Sequence, residues 1–304
     1  MKTVLITGGT DGIGKQTAFN IAKENNHVIL VGRNKEKCEE VTQQIKKESK
    51  NSKVNYIVKD LSLISDNKSL ASTVINKYPN LNILINNVGA LFLKKTYTRE
   101  GFEKTFALNH LGPFCLTNEL LKLLKTNQHS RIINVSSAAH FNVISNSKTN
   151  DNYKRSIIES LFFTTYLDKA DYQSNKTKYK GGHQYSRTKL MNILFTYRLA
   201  NQLKGTDITV NCLHPGFVAS KFGHNNKGFF KSFLKFGQSV KAISMKEGAL
   251  SSTFLALSNE VKNVSGKYFD EDTKEIPSSS ISNDKSLQND LWQKSENYIK
   301  SVTP

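Results

Sequence analysis

The sequence is poor in cysteine, with three in 304 residues: Cys38, Cys115 and Cys212. An odd number without a CxxC pair, and without histidines at metal-ligand spacing, argues against a disulfide framework and against a zinc site. We therefore expect no metal and a reduced, cytoplasmic compartment.

Long apolar runs are missing as well. No stretch approaches the roughly 18 consecutive apolar residues that a membrane-spanning helix needs. The pattern of a buried strand already begins within residues 1–9, so we expect neither a signal peptide nor a membrane anchor. Peripheral contact with an intracellular membrane stays open as an alternative.

Acidic residues are scarce relative to basic ones: 25 Asp and Glu face 43 Lys and Arg, a formal net charge of +18. Such a bias is typical of proteins that bind nucleic acid, a membrane surface or an anionic ligand. Many lysines, however, lie in polar stretches such as 46–53 and 176–180, and no nucleic-acid-binding motif accompanies them. We interpret the charge as solvated surface and expect no nucleic-acid partner.

What the sequence does contain is an alternation of short β-branched runs with amphipathic stretches of helical length. The runs cover residues 4–7, 28–31, 54–58, 83–85, 132–135 and 208–213. This order predicts an α/β fold: one doubly wound parallel sheet of about seven strands with helices on both faces. Ligands of such sheets bind at the carboxyl ends of the strands.

A glycine-rich turn, residues 7–14, directly follows the first predicted strand and opens a helix. Gly8 suits a tight turn, Gly12 lets the backbone approach phosphates, and Gly14 lets the helix lie close to the sheet. Backbone N–H groups and the positive helix end then bind a pyrophosphate, the pattern of a Rossmann-type nucleotide site. A turn that needs glycine for its own geometry is the alternative. The expected contacts are Gly8, Thr10, Asp11, Gly12, Ile13 and Gly14.

The second predicted strand ends at Gly32 and Arg33. An acidic residue there would accept hydrogen bonds from the adenosine ribose and repel a 2′-phosphate. Arginine instead offers a charged planar fork to phosphate. The sequence thus favours NADP(H), with NAD(H) and a merely solvent-facing arginine as alternatives.

Tyr185 and Lys189 lie four residues apart at the start of an amphipathic stretch and so share one helix face. A phenol titrates near pH 10, and a neighbouring ammonium favours its ionised form, which can exchange a proton with a substrate oxygen. Lys189 could also bond the nicotinamide ribose. Alone, this spacing is equally typical of a surface helix.

Polar residues at other strand ends strengthen that interpretation. Ser136 and Ser137 end one strand, Asn86, Asn87 and Gly89 end the preceding one, and Asn109 lies in the helical stretch between them. A serine hydroxyl at this edge can polarise the substrate oxygen that Tyr185 protonates.

Taken in order, these motifs resemble those of the short-chain dehydrogenase/reductase family, over residues 2–270. The motifs are Thr7-Gly8-x-x-x-Gly12-Ile13-Gly14, Asp60-Leu61, Asn86-Asn87-x-Gly89, Asn109, Asn134-Val135-Ser136-Ser137, Tyr185-x-x-x-Lys189 and His214-Pro215-Gly216.

The resemblance implies roles at matching positions. Tyr185 would be the acid/base and also contact the cofactor, Lys189 would be its activator and ribose ligand, and Asn109 would be part of a proton relay. Ser137 would contact the substrate oxygen, because the family's serine stands three residues after the strand asparagine; Ser136 is the alternative. The implied cofactor contacts are Asp60 and Leu61 at the adenine, Asn86, Asn87 and Gly89 at the adenosine, and Pro215, Gly216 and Val218 at the nicotinamide amide.

Finer motifs resemble the retinol-dehydrogenase-like and WW-domain-oxidoreductase-like branch, among them Tyr185-Ser186-Arg187-Thr188-Lys189 and Ser265-Gly266-Lys267-Tyr268-Phe269. That branch implies an oxidoreductase for a lipophilic carbonyl or alcohol of retinoid, steroid or lipid-aldehyde type. A reductase of small metabolite ketones and a catalytically weak NADP-binding sensor or scaffold are the alternatives. The family also implies a homo-oligomer as a candidate assembly.

We divide the chain into one catalytic domain, residues 1–276, and a polar C-terminal tail, 277–304, with one late amphipathic piece around Leu291 and Tyr298. The domain would contain an insertion at about 141–183, with an apolar patch at 157–166, and a substrate loop at about 217–240. Phenylalanines interleaved with lysines in that loop suit a lid over a hydrophobic substrate, a membrane-surface contact or a helix that packs its aromatic face. The phenylalanines are Phe222, Phe229, Phe230, Phe233 and Phe236.

Overall fold

The computed structural model describes residues 1–144, 164–218 and 243–302. The interleaved phenylalanines, and most of the apolar patch at 157–166, lie outside these ranges. The substrate-loop prediction therefore stays a prediction.

The strands form one seven-stranded parallel sheet in the order β3-β2-β1-β4-β5-β6-β7, as the sequence predicted. They are β1 Thr3–Thr7, β2 His27–Gly32, β3 Val54–Val58, β4 Leu81–Asn86, β5 Ser130–Val135, β6 Ile208–Leu213 and β7 Tyr268–Phe269. The chain order reverses between β1 and β4, which creates the crevice where ligands of such sheets bind.

Helices connect the strands and cover both faces. They are α1 Gly12–Lys23, α2 Lys35–Ser49, α3 Ile64–Lys77, α4 Lys104–Phe106, α5 Gly112–Thr126, α6 Gly181–Gln202, α7 Met245–Gly248, α8 Leu250–Leu257 and α9 Lys285–Lys300. A π-helical turn, Ala107–Leu111, joins α4 to α5, and 3₁₀ turns cover Ala138–Asn142 and Ser280–Asn283.

Strand β1 shows why the sheet carries a core on each face. All five of its residues are buried. Leu5 belongs to one apolar cluster, whereas Val4 and Ile6 belong to another on the opposite face. A strand covered on both sides must be apolar throughout, which explains why the sequence shows short continuous runs rather than alternation.

The C-terminal segment, predicted as a polar tail with one amphipathic piece around Leu291 and Tyr298, contains a packed helix, α9. Asp284 accepts a hydrogen bond from the Leu287 backbone N–H at 3.0 Å and starts α9. Leu287, Leu291 and Trp292 are buried, and the Trp292 ring lies 4.9 Å from that of Phe114. The packed core therefore continues beyond residue 276, because an amphipathic helix can bury apolar residues that are a minority in a polar sequence.

Helix α6 is the element that matters most for the site. It begins at Gly181, where an added Cβ would lie 2.3 Å from the carbonyl oxygen of Phe92, so only glycine permits the close approach. Tyr185 and Lys189 follow in its second and third turns. Within the described ranges, no helix is long and apolar enough to cross a membrane.

Candidate active site

The glycine-rich turn joins β1 to α1 at the carboxyl edge of the sheet. Gly8 has φ of 66°, in the left-handed region, and Asp11 caps α1 by accepting a hydrogen bond from the Gly12 N–H at 2.8 Å. A Cβ at Gly14 would lie 2.3 Å from the Gly8 carbonyl oxygen. The helix start is thus held close to the turn, and this glycine-lined edge fits a dinucleotide pyrophosphate.

We expect Gly14→Ala to lower the free energy of unfolding by about 3 kcal/mol, because the new methyl group would overlap the backbone of Gly8 and the Asn87 amide. Gly101→Ala is the control: its Cβ meets nothing within 4 Å, and φ there is 83°. That variant should cost only about 1 kcal/mol of backbone strain. Urea denaturation of both variants measures the difference; equal losses would contradict the close approach.

Arg33 follows β2 and is exposed. Gly32 before it allows tight packing, since a Cβ there would lie 2.7 Å from the Cys38 sulfur and 2.8 Å from Thr10 Cγ2. Lys37, in the first turn of α2, pairs with Asp11 of the glycine-rich turn. We did not single out Lys37 in the sequence, although it lies only four positions after Arg33.

Two other predicted cofactor residues have structural contacts of their own. Leu61 is 3% exposed and packs in the core. The Asn86 amide donates to the Thr117 hydroxyl at 2.9 Å and to the Asn134 side-chain oxygen at 2.8 Å. Both amide hydrogens of Asn86 are thus used inside the protein, between β4, β5 and α5.

Three other predicted cofactor residues lie nearer the carboxyl edge of the sheet: Asn87, Asp60 and Gly89. The Asn87 amide donates to the Thr7 carbonyl oxygen at 2.9 Å and ties the end of β4 to the glycine-rich turn. Asp60 accepts from the Ser62 N–H and hydroxyl at 3.0 and 2.8 Å. Their contacts with a cofactor stay predictions.

The two serines after β5 face different neighbours. The Ser136 hydroxyl donates to the Lys189 carbonyl oxygen at 2.7 Å and is buried. The Ser137 hydroxyl hydrogen-bonds with the Tyr185 phenol. Of the two, Ser137 is the serine that contacts Tyr185, and its contact with a substrate oxygen stays a prediction.

The Lys189 side chain lies next to the Tyr185 ring. Its ammonium is buried, lies 5.5 Å from the centre of the Tyr185 ring and donates to the Val135 carbonyl oxygen at 3.1 Å. Gly89 leaves room for it, because a Cβ there would be 3.1 Å from Lys189 Nζ. Burial disfavours the charge and lowers the pKa of Lys189 to about 8.

Burial acts in the opposite direction on Tyr185. It raises the pKa of the phenol to about 12, and the hydrogen bond with Ser137 offsets part of that rise. The Lys189 ammonium lies 5.5 Å from the centre of the ring, and its effect on the phenolate stays a prediction. With its pKa above the ordinary value of 10, the phenol is protonated at neutral pH.

Asn109 lies in the π-helical turn between α4 and α5 and is fully buried. It accepts from the Ala90 N–H at 2.9 Å and donates to the Ala90 carbonyl oxygen and the Thr188 hydroxyl at 2.9 and 3.1 Å. Thr188 precedes Lys189, so Asn109 connects the loop after β4 to the helix that carries Lys189. Single π-helical turns are frequent at functional sites.

The segment after β6 also lies at the carboxyl edge of the sheet. Gly216 has φ of 71°, and a Cβ there would lie 2.7 Å from Ile243 Cδ1. Val218 forms a β-bridge with Ile243, and a Cβ on Gly248 would lie 2.5 Å from Val218 and 3.4 Å from Ile13. Pro215, Gly216 and Val218 are thus brought to the same edge as the glycine-rich turn.

His140 is a second residue that we missed, although it ends the run Ser136-Ser137-Ala138-Ala139-His140. It is fully buried, and burial lowers its pKa to about 3, so the imidazole is neutral. Nε2 accepts from the Ser279 N–H at 3.1 Å. The proton then sits on Nδ1, which donates to the Ser137 carbonyl oxygen at 2.8 Å. This contact holds the backbone of Ser137 in place.

Comparison with known proteins agrees with these features. A family model described as short chain dehydrogenase matches residues 2–148. Retinol dehydrogenase 13 from Homo sapiens is 34% identical over 309 residues, with 100% of this chain and 86% of the relative covered. Polyprenol dehydrogenase from Homo sapiens is 32% identical over 307 residues, covering 97% and 84%.

Solved structures share the fold. An uncharacterized protein from Mycobacterium paratuberculosis superposes with a TM-score of 0.73 at 24% identity, covering 100% of this chain and 95% of that one. The NADP active-site complex of RhlG from Pseudomonas aeruginosa superposes with a TM-score of 0.66 at 21% identity, covering 88% and 94%.

Proposed function

Because this chain belongs to the short-chain dehydrogenase family, on its retinol-dehydrogenase-like branch, we propose that it moves hydride between NADP(H) and a lipophilic carbonyl/alcohol pair. The chain is a dehydrogenase or reductase acting on CH–OH groups. One observation carries the proposed chemistry: the Ser137 hydroxyl bonds to the Tyr185 phenol, and the Lys189 ammonium lies 5.5 Å from the centre of the Tyr185 ring.

Each side chain has one task in this proposal. In reduction, the neutral Tyr185 phenol donates its proton to the carbonyl oxygen, and the Ser137 hydroxyl holds that oxygen in line. Lys189 stabilises the phenolate that is left behind. Asn109 holds the Ala90 loop against Thr188 and supports a path by which Tyr185 regains a proton.

A bound nicotinamide would supply or accept the hydride. The glycine-rich turn would hold its pyrophosphate, Lys189 its ribose, and Pro215, Gly216 and Val218 its carboxamide. The pyrophosphate assignment is supported by the close approach of Gly14 to Gly8.

The preference for NADP is supported by the exposed Arg33 at the end of β2. We expect Arg33→Ala to lower the ratio of kcat/KM for NADPH over NADH by about tenfold or more, because a charge-assisted bond to phosphate contributes about 1.5–3 kcal/mol. Arg99→Ala, which removes another exposed arginine, should leave the ratio unchanged. An unchanged ratio in Arg33→Ala would contradict the assignment.

The lipophilic substrate class is supported by the names of the relatives, retinol dehydrogenase and polyprenol dehydrogenase. The direct test is turnover of purified protein with NADPH against retinal, steroid ketones, long-chain aldehydes and small diketones. We expect the highest kcat/KM among the first three. Turnover of the diketones alone would favour the small-ketone reductase, and tight NADPH binding without any turnover would favour the sensor.

Three expectations stay open beside this proposal. They are the cytoplasmic location with peripheral contact to an intracellular membrane as its alternative, a homo-oligomeric assembly, and the absence of a nucleic-acid partner.

A further inference from the structure

Glu103 is a fully buried acidic residue that the mechanism above does not use; its exposed fraction is 0%. A carboxylate is rarely buried to this degree unless its oxygens are hydrogen-bonded, because losing water is costly. The position of its partners therefore shows what the residue holds together.

Two partners are local and two are distant in sequence. Oε1 accepts from the Thr105 N–H at 2.8 Å, and Oε2 accepts from the Phe106 N–H at 2.8 Å, which caps α4. Oε1 also lies 3.1 Å from the Tyr179 hydroxyl, and Oε2 accepts from the Gln184 side-chain amide at 3.0 Å.

The two groups of partners belong to the two helical elements of the site. From its cap at Glu103 the chain continues through α4 into the π-helical turn that contains Asn109. Gln184 lies in the first turn of α6 and directly precedes Tyr185. The backbone of Glu103 also reaches the segment before α6, because its N–H donates to the Gln173 side-chain oxygen at 2.9 Å.

We propose that Glu103 is a positioning residue that fixes the start of α6, and with it the Tyr185 phenol, relative to the turn that carries Asn109. Each oxygen of its carboxylate bonds both to a backbone N–H of α4 and to a side chain at or just before the start of α6. A shorter side chain would therefore lose the bonds to the α6 side while it still caps α4. The inference rests on the proposed roles of Tyr185 and Asn109. Displacing a reacting group by about 1 Å can cost as much as about 100-fold in rate.

Glu103→Asp separates the two tasks of the residue. Aspartate is a good N-cap and should keep the bonds to the Thr105 and Phe106 N–H groups, but it is one methylene too short to reach Gln184 as well. We expect kcat to fall about tenfold or more, with the NADPH dissociation constant, measured by fluorescence, unchanged.

Glu100→Asp is the matched control. Glu100 also uses its carboxylate on backbone N–H groups at a helix start, accepting from Ile64 and Ser65 of α3 at 2.6 and 2.9 Å. This variant shortens a side chain three residues away, in a turn. The helix that its carboxylate contacts, α3, carries none of the proposed catalytic side chains. We expect its melting temperature to fall and its kcat to stay at the wild-type value.

Gln184→Met removes the contact with Glu103 from the other side, and keeps the inference testable if Glu103→Asp folds poorly. It also removes the bonds of the Gln184 amide to the Tyr172 carbonyl oxygen and the Ser174 hydroxyl, at 3.0 and 2.7 Å. It should lower kcat without changing NADPH affinity. In the double variant the two losses should be clearly less than multiplicative, because both remove one bridge.

The outcomes distinguish a failure of the positioning role of Glu103 from a failure of the proposed catalytic mechanism. Wild-type kcat in Glu103→Asp and Gln184→Met, with turnover lost in Tyr185→Phe, would overturn the positioning role and leave Glu103 as a cap. Loss of NADPH binding together with kcat would overturn it too. If Tyr185→Phe keeps its turnover, the proposed mechanism fails, irrespective of Glu103.

Discussion

Tyr185→Phe should lose about 10²–10⁴-fold in kcat, the range that a positioned general acid contributes, while still binding NADPH. The phenylalanine ring fills the same buried volume, so only the hydroxyl is lost. With it goes the proton donor and the hydrogen bond to Ser137. Single-turnover reduction of the best aldehyde, followed by NADPH absorbance, measures the loss.

The same helix offers a control for this substitution. Tyr197 lies three turns further along α6, and its hydroxyl contacts the Ser278 hydroxyl at 2.6 Å, away from Ser137. Tyr197→Phe also deletes one phenol hydroxyl, from a half-buried tyrosine, and we expect its kcat to stay within about twofold of wild type. A Tyr185→Phe enzyme that keeps a tenth or more of wild-type turnover would show that another group supplies the proton.

The second large effect concerns Lys189. Lys189→Met keeps a side chain of similar length but removes the charge that stabilises the Tyr185 phenolate. We expect a loss of about 10²–10³-fold in kcat, the usual cost of removing one preorganised electrostatic donor. NADPH affinity should weaken as well, since the same ammonium is proposed to bond the ribose. Lys204→Met, at an exposed lysine just after α6, controls for the substitution itself.

The buried ammonium also has a signature in the pH dependence of stability. The unfolded chain keeps the Lys189 proton up to the ordinary pKa of 10.5, whereas the folded protein loses it near pH 8. Between these values the unfolded state binds more protons, so stability rises with pH. Relative to Lys189→Met, the wild-type free energy of unfolding should gain about 3 kcal/mol from pH 8 to 10.5. Denaturation curves that keep a constant difference over this window would contradict the burial of the charge.

Much of the fold could be predicted because its signals are local. A strand buried on both faces must be a short apolar run, and glycines at Gly8 and Gly14 are needed where the chain turns and where a helix touches the backbone. The spacing of Tyr185 and Lys189 follows from one turn of α6. These requirements act within a few residues, so they can be recognised in the local sequence.

The buried polar partners were not predictable in the same way. Nothing near Glu103 in sequence indicates Gln184, which lies 81 positions away, and nothing near Asn86 indicates Asn134. Likewise, an amphipathic piece in a polar segment gave no sign that Trp292 would pack against Phe114. Such contacts arise only when separate elements are brought together.

By itself, the sequence determined the doubly wound sheet, the glycine-rich turn and the identity of the residues at its edge, because local backbone geometry dictates each of them. Only the tertiary structure decided that Ser137 faces Tyr185 while Ser136 bonds to the Lys189 carbonyl oxygen. It also decided that burial raises the pKa of Tyr185 and lowers that of Lys189. The reason is physical: desolvation and hydrogen bonding depend on what surrounds a group in space, and those neighbours come from distant parts of the chain.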